Sequence, residues 1–210
     1  MTISRTGDLC AKPPKEKGKK RRGPKPATPE RLEKAALSYL ERFATSAENL
    51  RRVLGRRVHR SAQLHGTDEE AGLAHIDALI ERYIRAGLLD DAAFARAKVH
   101  TLTRAGHARR AIRMRLRAKG VAPGAIDKAL EELAEEMSEA DPDIIAALRY
   151  ARRRRLGPFG AGDETRRQRE MAALARRGFS LDIVRLIMDA RDEVELADRL
   201  GDRGVDLGAI

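Results

Sequence analysis

The residues with the greatest chemical capacity lie between positions 109 and 119, where Arg109, Arg110, Arg113, Arg115, Arg117 and Lys119 stand without a single acid among them. Arg109, Arg113 and Arg117 recur every four residues, a spacing that on a helix makes one stripe opposite Ile112 and Leu116. Guanidinium groups so arrayed suit phosphate or carboxylate oxygens, which accept their paired N–H donors. Arg152, Arg153, Arg154 and Arg155, followed by Arg166, Arg167 and Arg169, extend the cationic set. Glu131, Glu132, Glu135 and Glu136 form the opposing feature, a carboxylate face that either meets basic groups of a protein partner or balances the neighbouring basic helix.

Other constellations lead away from catalysis. Asp90 and Asp91 are adjacent carboxylates, but adjacency at a helix start serves capping better than acid/base work. His59, His65, His75, His100 and His107 show no ligand spacing, and the lone Cys10 provides neither a disulfide nor a thiolate metal site. Gly157-Pro158-Phe159-Gly160-Ala161-Gly162 has the glycines of a phosphate loop, yet Asp163-Glu164 stand where Lys and Ser/Thr would hold phosphate and magnesium. No catalytic residue, metal ligand or cofactor site is nominated.

The elements that carry these residues read as helices throughout. No segment alternates with period two, so strands are not expected. Thr28-Pro29-Glu30 opens a first helix with Ala36, Leu37, Leu40 and Phe43 on its buried stripe, and Thr45-Ser46 opens a second with Leu50, Val53, Leu54 and Val58 inward. Ser61 to Gly72 reads as a polar loop before a third helix that stops at Gly87. A second set begins at Asp90 or Asp91 with Phe94, Ala95, Val99 and Leu102 inward, breaks at Gly106, and continues through the basic helix to one opened by Pro123. A third set runs from Pro142 through Leu174 to a helix capped by Ser180.

Two helix ends share one plan. Leu116-Arg117-Ala118-Lys119-Gly120-Val121 and Leu174-Ala175-Arg176-Arg177-Gly178-Phe179 each place a cation before a glycine and a hydrophobe after it, with a weaker copy upstream at Leu50 to Val58. Glycine accepts the left-handed residue beyond the helix, the cation suits the negative end of the dipole, and the hydrophobe folds back on the last turn. Self-similarity of this kind marks a repeat architecture. Net charge in successive thirty-residue blocks runs +6, +5, −4, +8, −6, +6 and −4, so basic and acidic zones alternate with the repeat. A partner with its own repeat, such as a nucleic-acid strand coated by protein subunits, fits that alternation.

The expected fold is all-α, with three tandem three-helix repeats forming an elongated, curved helical body. Its divisions are a disordered basic arm over 1–27, a first repeat over 28–87 with an insertion at 61–72, a second over 88–140 and a third over 141–190 with a loop at 157–165. A tail over 191–210 has room for a short helix around Val194 to Leu200.

The arm reading rests on eight cations among four prolines between Lys12 and Pro26. A net charge of +11 and an isoelectric point near 10.3 point to a polyanionic partner, while 3% aromatic content argues against stacking platforms for free single-stranded bases. No run approaches the roughly 18 apolar residues of a membrane span, and no secretory leader is visible, so a cytoplasmic monomer is expected.

Gly87-Leu88-Leu89-Asp90-Asp91 with Phe94-Ala95, the helix ending Lys119-Gly120-Val121, and Arg176-Arg177-Gly178-Phe179-Ser180 together resemble the RecX family of bacterial regulators of the RecA recombinase. The resemblance covers about Leu37 to Met188. Gly87, Leu89, Asp90, Asp91, Phe94, Gly120, Gly178 and Phe179 are its structural signature. It implies a non-enzymatic protein of three three-helix repeats that binds the RecA filament along its groove and also binds DNA, mainly through phosphates. It further implies restraint of filament growth, ATP hydrolysis, strand exchange and co-protease activity in recombination and SOS repair, with no small-molecule substrate. The competing readings are a helix-turn-helix factor using Ala108 to Glu136 and a non-specific DNA-binding protein. The first is disfavoured by the acids on its would-be recognition helix. The second fits the charge but not the acidic helices.

Overall fold

Short polar caps and glycine stops divide the chain into ten α-helices in the computed structural model, which describes residues 25–137, 141–160 and 164–209. They are α1 (Pro29–Leu40), α2 (Ala47–His65), α3 (Glu69–Arg85), α4 (Asp91–Arg104), α5 (Arg109–Ala118), α6 (Pro123–Glu136), α7 (Pro142–Arg154), α8 (Glu164–Arg176), α9 (Leu181–Met188) and α10 (Glu193–Gly201). Among the described residues there is no strand. The basic arm expected over 1–27 lies, up to residue 24, outside the described residues, as do 138–140 and the end of the glycine-rich segment at 161–163.

Apolar spacing sorts the helices into three cores. Leu32, Ala36, Leu50, Leu54, Val58, Ile76, Leu79, Ile80, Tyr83 and Leu89 form the first, from α1 to α3. Phe94, Ala95, Val99, Ile112, Leu116, Val121, Ile126, Leu130 and Leu133 form the second, from α4 to α6. Leu148, Tyr150, Leu174, Phe179, Val184, Ile187, Leu196 and Leu200 belong to the third, which α10 joins from the tail. Each core holds one three-helix unit, and the units follow one another along an elongated body.

Local chemistry fixes the boundaries. Asp90, not Asp91, caps α4, its carboxylate accepting the Ala93 N–H at 2.9 Å. Ser180 caps α9 through the Ile183 N–H, and Asp192 caps α10 through the Glu195 N–H at 2.9 Å. Gly120 and Gly178 close α5 and the α8 end in the left-handed region, with φ of 77° and 92°.

The structure corrects four expectations. The loop expected from Ser61 to Gly72 shrinks to Gly66–Asp68: α2 runs on to His65, Gly66 terminates it at φ 62°, and Asp68 caps α3. The polar stretch stays helical because Ser61 is buried where its hydroxyl oxygen accepts the Ala27 N–H at 2.9 Å and the Thr67 hydroxyl at 2.8 Å. Gly72 also lets α3 close on α2, since a Cβ there would lie 2.7 Å from Val58 Cγ1. Second, the upstream copy of the glycine stop is no stop, because Gly55 sits inside α2. Third, Leu37 and Phe43 are 41% and 51% exposed; of the expected stripe Ala36 is buried and Leu40 packs against the first core, and Leu32 joins them there. Fourth, the segment expected as loop at 157–165 holds a 3-10 turn at Gly157–Phe159 and gives way to α8 at Glu164.

Candidate filament and nucleic-acid interface

The middle helices of the three units meet end to end. At the carboxyl end of α8 the Arg177 carbonyl accepts the Ala108 N–H at 3.0 Å, just ahead of α5. At the carboxyl end of α5 the Ala118 carbonyl accepts from Arg52 Nη1 at 2.8 Å, and the Lys119 carbonyl accepts the Ser46 hydroxyl, the N-cap of α2. Negative helix ends therefore face positive ones, which favours this order of α8, α5 and α2. The repeated glycine stops stand at the contact points. A Cβ on Gly120 would lie 2.2 Å from Glu48 Cγ, and one on Gly178 would lie 2.8 Å from Ala111 Cβ. Gly66, which ends the last helix of the relay, has nothing within 4 Å.

Each joint also takes a carboxylate from the next unit. Asp91 accepts the Ala47 N–H, the first amide of α2, at 2.8 Å. Asp143 accepts the Arg109 N–H, the first amide of α5, also at 2.8 Å. Burial raises the Asp143 pKa, against the pull of the Arg109 amide and guanidinium.

This arrangement divides the arginine stripe. Arg109 is half-buried and reaches Asp141 at 3.3 Å and Asp143 at 3.6 Å, while Arg113 reaches Asp127 on α6 at 2.8 Å. Lys119 donates to Asn49 Oδ1 at 3.3 Å across the first joint. Arg110 and Arg117 remain exposed, with Met114 between them on the outer face of α5. Arg152 reaches Glu193 at 3.6 Å and the Leu207 carbonyl at 3.3 Å, and Arg153 donates to the Ala105 carbonyl at 3.0 Å. Arg154 is exposed, and Arg155 adopts the left-handed region at φ 54°. On α8, Arg167 is tied to Asp189 and the Met188 carbonyl, and the side chains of Arg166 and Arg169 are exposed.

On α6, Glu131 and Glu135 are exposed, Glu132 is half-buried, and Glu136 lies 3.6 Å from His100 Nε2. The signature residues are scaffold: Leu89 fills the first core, Phe94 the second and Phe179 the third.

The sequence reading did not nominate several residues that the geometry brings forward. Arg52, Arg56 and Arg60 recur every four residues on α2 with Arg57 beside them, all exposed, the same spacing that singled out Arg109, Arg113 and Arg117. Arg177 lies over the Tyr150 ring at 4.5 Å and donates to His107 Nε2 at 2.6 Å. His107 therefore accepts at Nε2 and carries its proton on Nδ1. Burial, with Arg115 and Arg177 nearby, lowers its pKa to about 4. No spacing rule flags a histidine at a joint formed by a residue seventy positions away.

Among the described residues no group of His, Cys, Asp or Glu is placed to hold a metal, and no helix is long and apolar enough to cross a membrane. An open groove between α9 and α10 is lined by Asp182, Arg185, Asp189, Arg199, Asp202 and Arg203, a mixture of signs that favours no single ionic ligand.

Comparison with known proteins meets the same units. Family models described as the second and third three-helix domains of RecX match residues 90–130 and 141–188. A regulatory protein RecX of Myxococcus xanthus is 43% identical over 179 residues, covering 84% of this chain and 92% of the relative. The chain belongs to the RecX family. A RecX of Halorhodospira halophila is 34% identical over 167 residues, covering 80% of this chain and 92% of its own length. A crystal structure of a regulatory protein RecX, 23% identical, superposes with a TM-score of 0.49 over 77% of this chain and 72% of that one. The RecX matches start at the Asp90 cap and end with α9, so they span α4 into α6 and then α7 to α9.

Proposed function

We propose that this RecX-family chain regulates a RecA-type recombinase by lying along the recombinase filament on DNA. The cationic faces of the middle helices turn toward phosphate, and the acidic face of α6, with Glu131, Glu132, Glu135 and Glu136, turns toward the protein. Bound there, it restrains filament growth, ATP hydrolysis, strand exchange and co-protease activity without catalysing a reaction of its own. It acts from the cytoplasm as a monomer.

The observation that carries this reading is the end-to-end order of α8, α5 and α2, each with exposed arginines. Together these helices supply roughly 60 Å of helix length, at 1.5 Å per residue. Arg56, Arg57 and Arg60 on α2, Arg110 and Arg117 on α5, and Arg169 on α8 are the phosphate-facing set. Arg109, Arg113, Lys119, Arg152, Arg153 and Arg167 serve the scaffold first, because their charged groups already reach partners within the chain. Arg154 and Arg155 flank the set at the end of α7. A helix-turn-helix reading through α5 and α6 is unfavourable, since α6 would carry Glu131 and Glu135 into the major groove.

Binding along a filament alters its behaviour only through different affinities for its states. The test is DNA-dependent ATP hydrolysis by the cognate recombinase, titrated at low and moderate salt with DNA in excess. Inhibition well below one chain per recombinase subunit is expected. Inhibition only when the chain is abundant enough to cover the DNA would reduce it to a general DNA binder.

A further inference from the structure

The two joints between units are built from the same parts but not to the same strength. At the second joint, Ala108 is fully buried and belongs to the third core, although it directly precedes α5 of the second unit. Helix α4 lies along α7, and Gly106 admits the Tyr150 side chain so closely that a Cβ there would sit 2.6 Å from Tyr150 Cβ. Arg177 and Arg153 of the third unit both lie over the Tyr150 ring and reach across to the second unit, donating to the Ala105 carbonyl at 3.4 and 3.0 Å. Apolar packing and hydrogen bonding thus hold the second and third units together.

The first joint is polar. Its hydrogen bonds are the buried Ser46 hydroxyl on the Lys119 carbonyl, Arg52 on the Ala118 carbonyl, Lys119 Nζ on Asn49, and the Asp91 carboxylate on the Ala47 N–H, and its closest packing is the polar side chain of Glu48 against Gly120. The first and second cores share no buried residue, and no helix of the first unit packs lengthwise on a helix of the second among the described residues. The covalent connection is short. Leu89 is seated in the first core and hydrogen-bonded to the Tyr83 carbonyl, and Asp90 already caps α4. Rotation between the units falls on the backbone between Leu89 and Asp91.

We infer that this connection is a pivot, about which the first unit swings while the second and third units move as one block. Exposed charge pairs and charge-assisted hydrogen bonds weaken as salt screens them, whereas buried apolar contacts do not. The first unit carries Arg52, Arg56, Arg57 and Arg60, so its motion changes the angle between the α2 cationic face and that of α5. An articulated body of this kind follows a repeating partner through changes of pitch that a rigid one could not.

Amide exchange on the intact chain tests the pivot at fixed pH in low salt and in 0.5 M NaCl. The Ala47 N–H reports on the first joint and the Ala108 N–H on the second. Ala47 is expected to exchange at least about tenfold faster than Ala108, and faster again in high salt, while Ala108 follows core amides such as Leu148. Equal protection at both joints with no salt response would overturn the inference.

Fraying of α2 alone could expose Ala47, so distances between spin labels give the second readout. With Cys10→Ser as background, the pair Glu70→Cys and Lys128→Cys spans the first joint, and Lys128→Cys with Asp202→Cys spans the second. The first pair is expected to give a broad distribution that widens with salt, and the second a narrow one. A first pair as narrow as the second means fraying only, and overturns the pivot.

Discussion

Asp143 lends its carboxylate to an amide of another unit, the Arg109 N–H, at 2.8 Å. It is a helix cap supplied from 34 residues away, and it repeats the bond that Asp91 makes to Ala47 across the first joint. Replacing Asp143 by alanine removes the acceptor and should lower stability by about 1–2 kcal/mol, the range of lost caps. Asn keeps an acceptor without the buried charge that raises the Asp143 pKa, so Asp143→Asn should be less damaging than Asp143→Ala. Urea denaturation of both variants at neutral pH checks the order.

His107 makes the same joint sensitive to acid. Its folded-state pKa of about 4 lies below the ordinary 6.5, so the neutral form is the one the fold accommodates. The stability tied to that neutral form is complete above pH 6.5 and is lost as pH falls from 6.5 toward 4. At 1.36 kcal/mol per pKa unit the loss approaches roughly 3 kcal/mol. Asp143, with its raised pKa, works in the opposite direction as it takes up a proton. Denaturation midpoints measured between pH 7 and 4.5 should fall more steeply for the wild-type chain than for His107→Gln; parallel curves would remove His107 from the account.

Glycines with the same backbone conformation should respond differently to alanine. Gly66→Ala meets nothing within 4 Å and bears only the left-handed penalty, about 1 kcal/mol. Gly178→Ala adds a methyl 2.8 Å from Ala111 Cβ and 3.2 Å from the Ala111 backbone nitrogen, so its loss should exceed that of Gly66→Ala by at least about 1 kcal/mol. Thermal unfolding of the two variants compares them directly.

Among the described residues Arg155 is the one non-glycine residue with positive φ, at 54°, and its side chain is exposed. Arg155→Gly should therefore stabilise the chain by up to about 1 kcal/mol. A lower melting temperature would mean that the side chain makes a contact worth more than the relieved strain.

The free and engaged arginines of α5 should separate binding from folding. Arg110→Ala with Arg117→Ala is expected to weaken DNA binding and reduce its salt slope by up to about 2, since each phosphate contact contributes about 0.9. Circular dichroism and melting should stay near wild type. Arg113→Ala removes the 2.8 Å pair with Asp127 and should change stability by no more than about 1 kcal/mol because both partners are over a third exposed, with a smaller effect on DNA affinity. Similar DNA affinity for all three chains would displace the interface from α5.

The all-helical fold, the three cores and the glycine stops were legible in the sequence, because apolar spacing, caps and breakers act over a few residues. Phe94, Val99, Ile112 and Leu116 declare their core by period alone. Residues 61–72 misled for the same reason: their polarity suggested a loop, but the break is confined to Gly66–Asp68, with the Ala27 amide on buried Ser61 and the approach of α3 to α2 at Gly72 helping to hold the flanking residues in helices.

The charge pattern likewise identified a basic helix at 109–119 but could not say which cations were free. Arg109 and Arg113 were engaged by Asp141, Asp143 and Asp127, while Arg56 and Arg60 on α2 stood exposed. Those outcomes depend on which helix ends meet. Gly120 against Glu48 and Gly178 against Ala111 are contacts between residues more than sixty positions apart, set by the joint packing of whole units rather than by any local preference. The sequence by itself determined the helices, their stops and the alternation of charge; the tertiary structure decided that the stops would become joints, and which arginines the joints would leave facing outward.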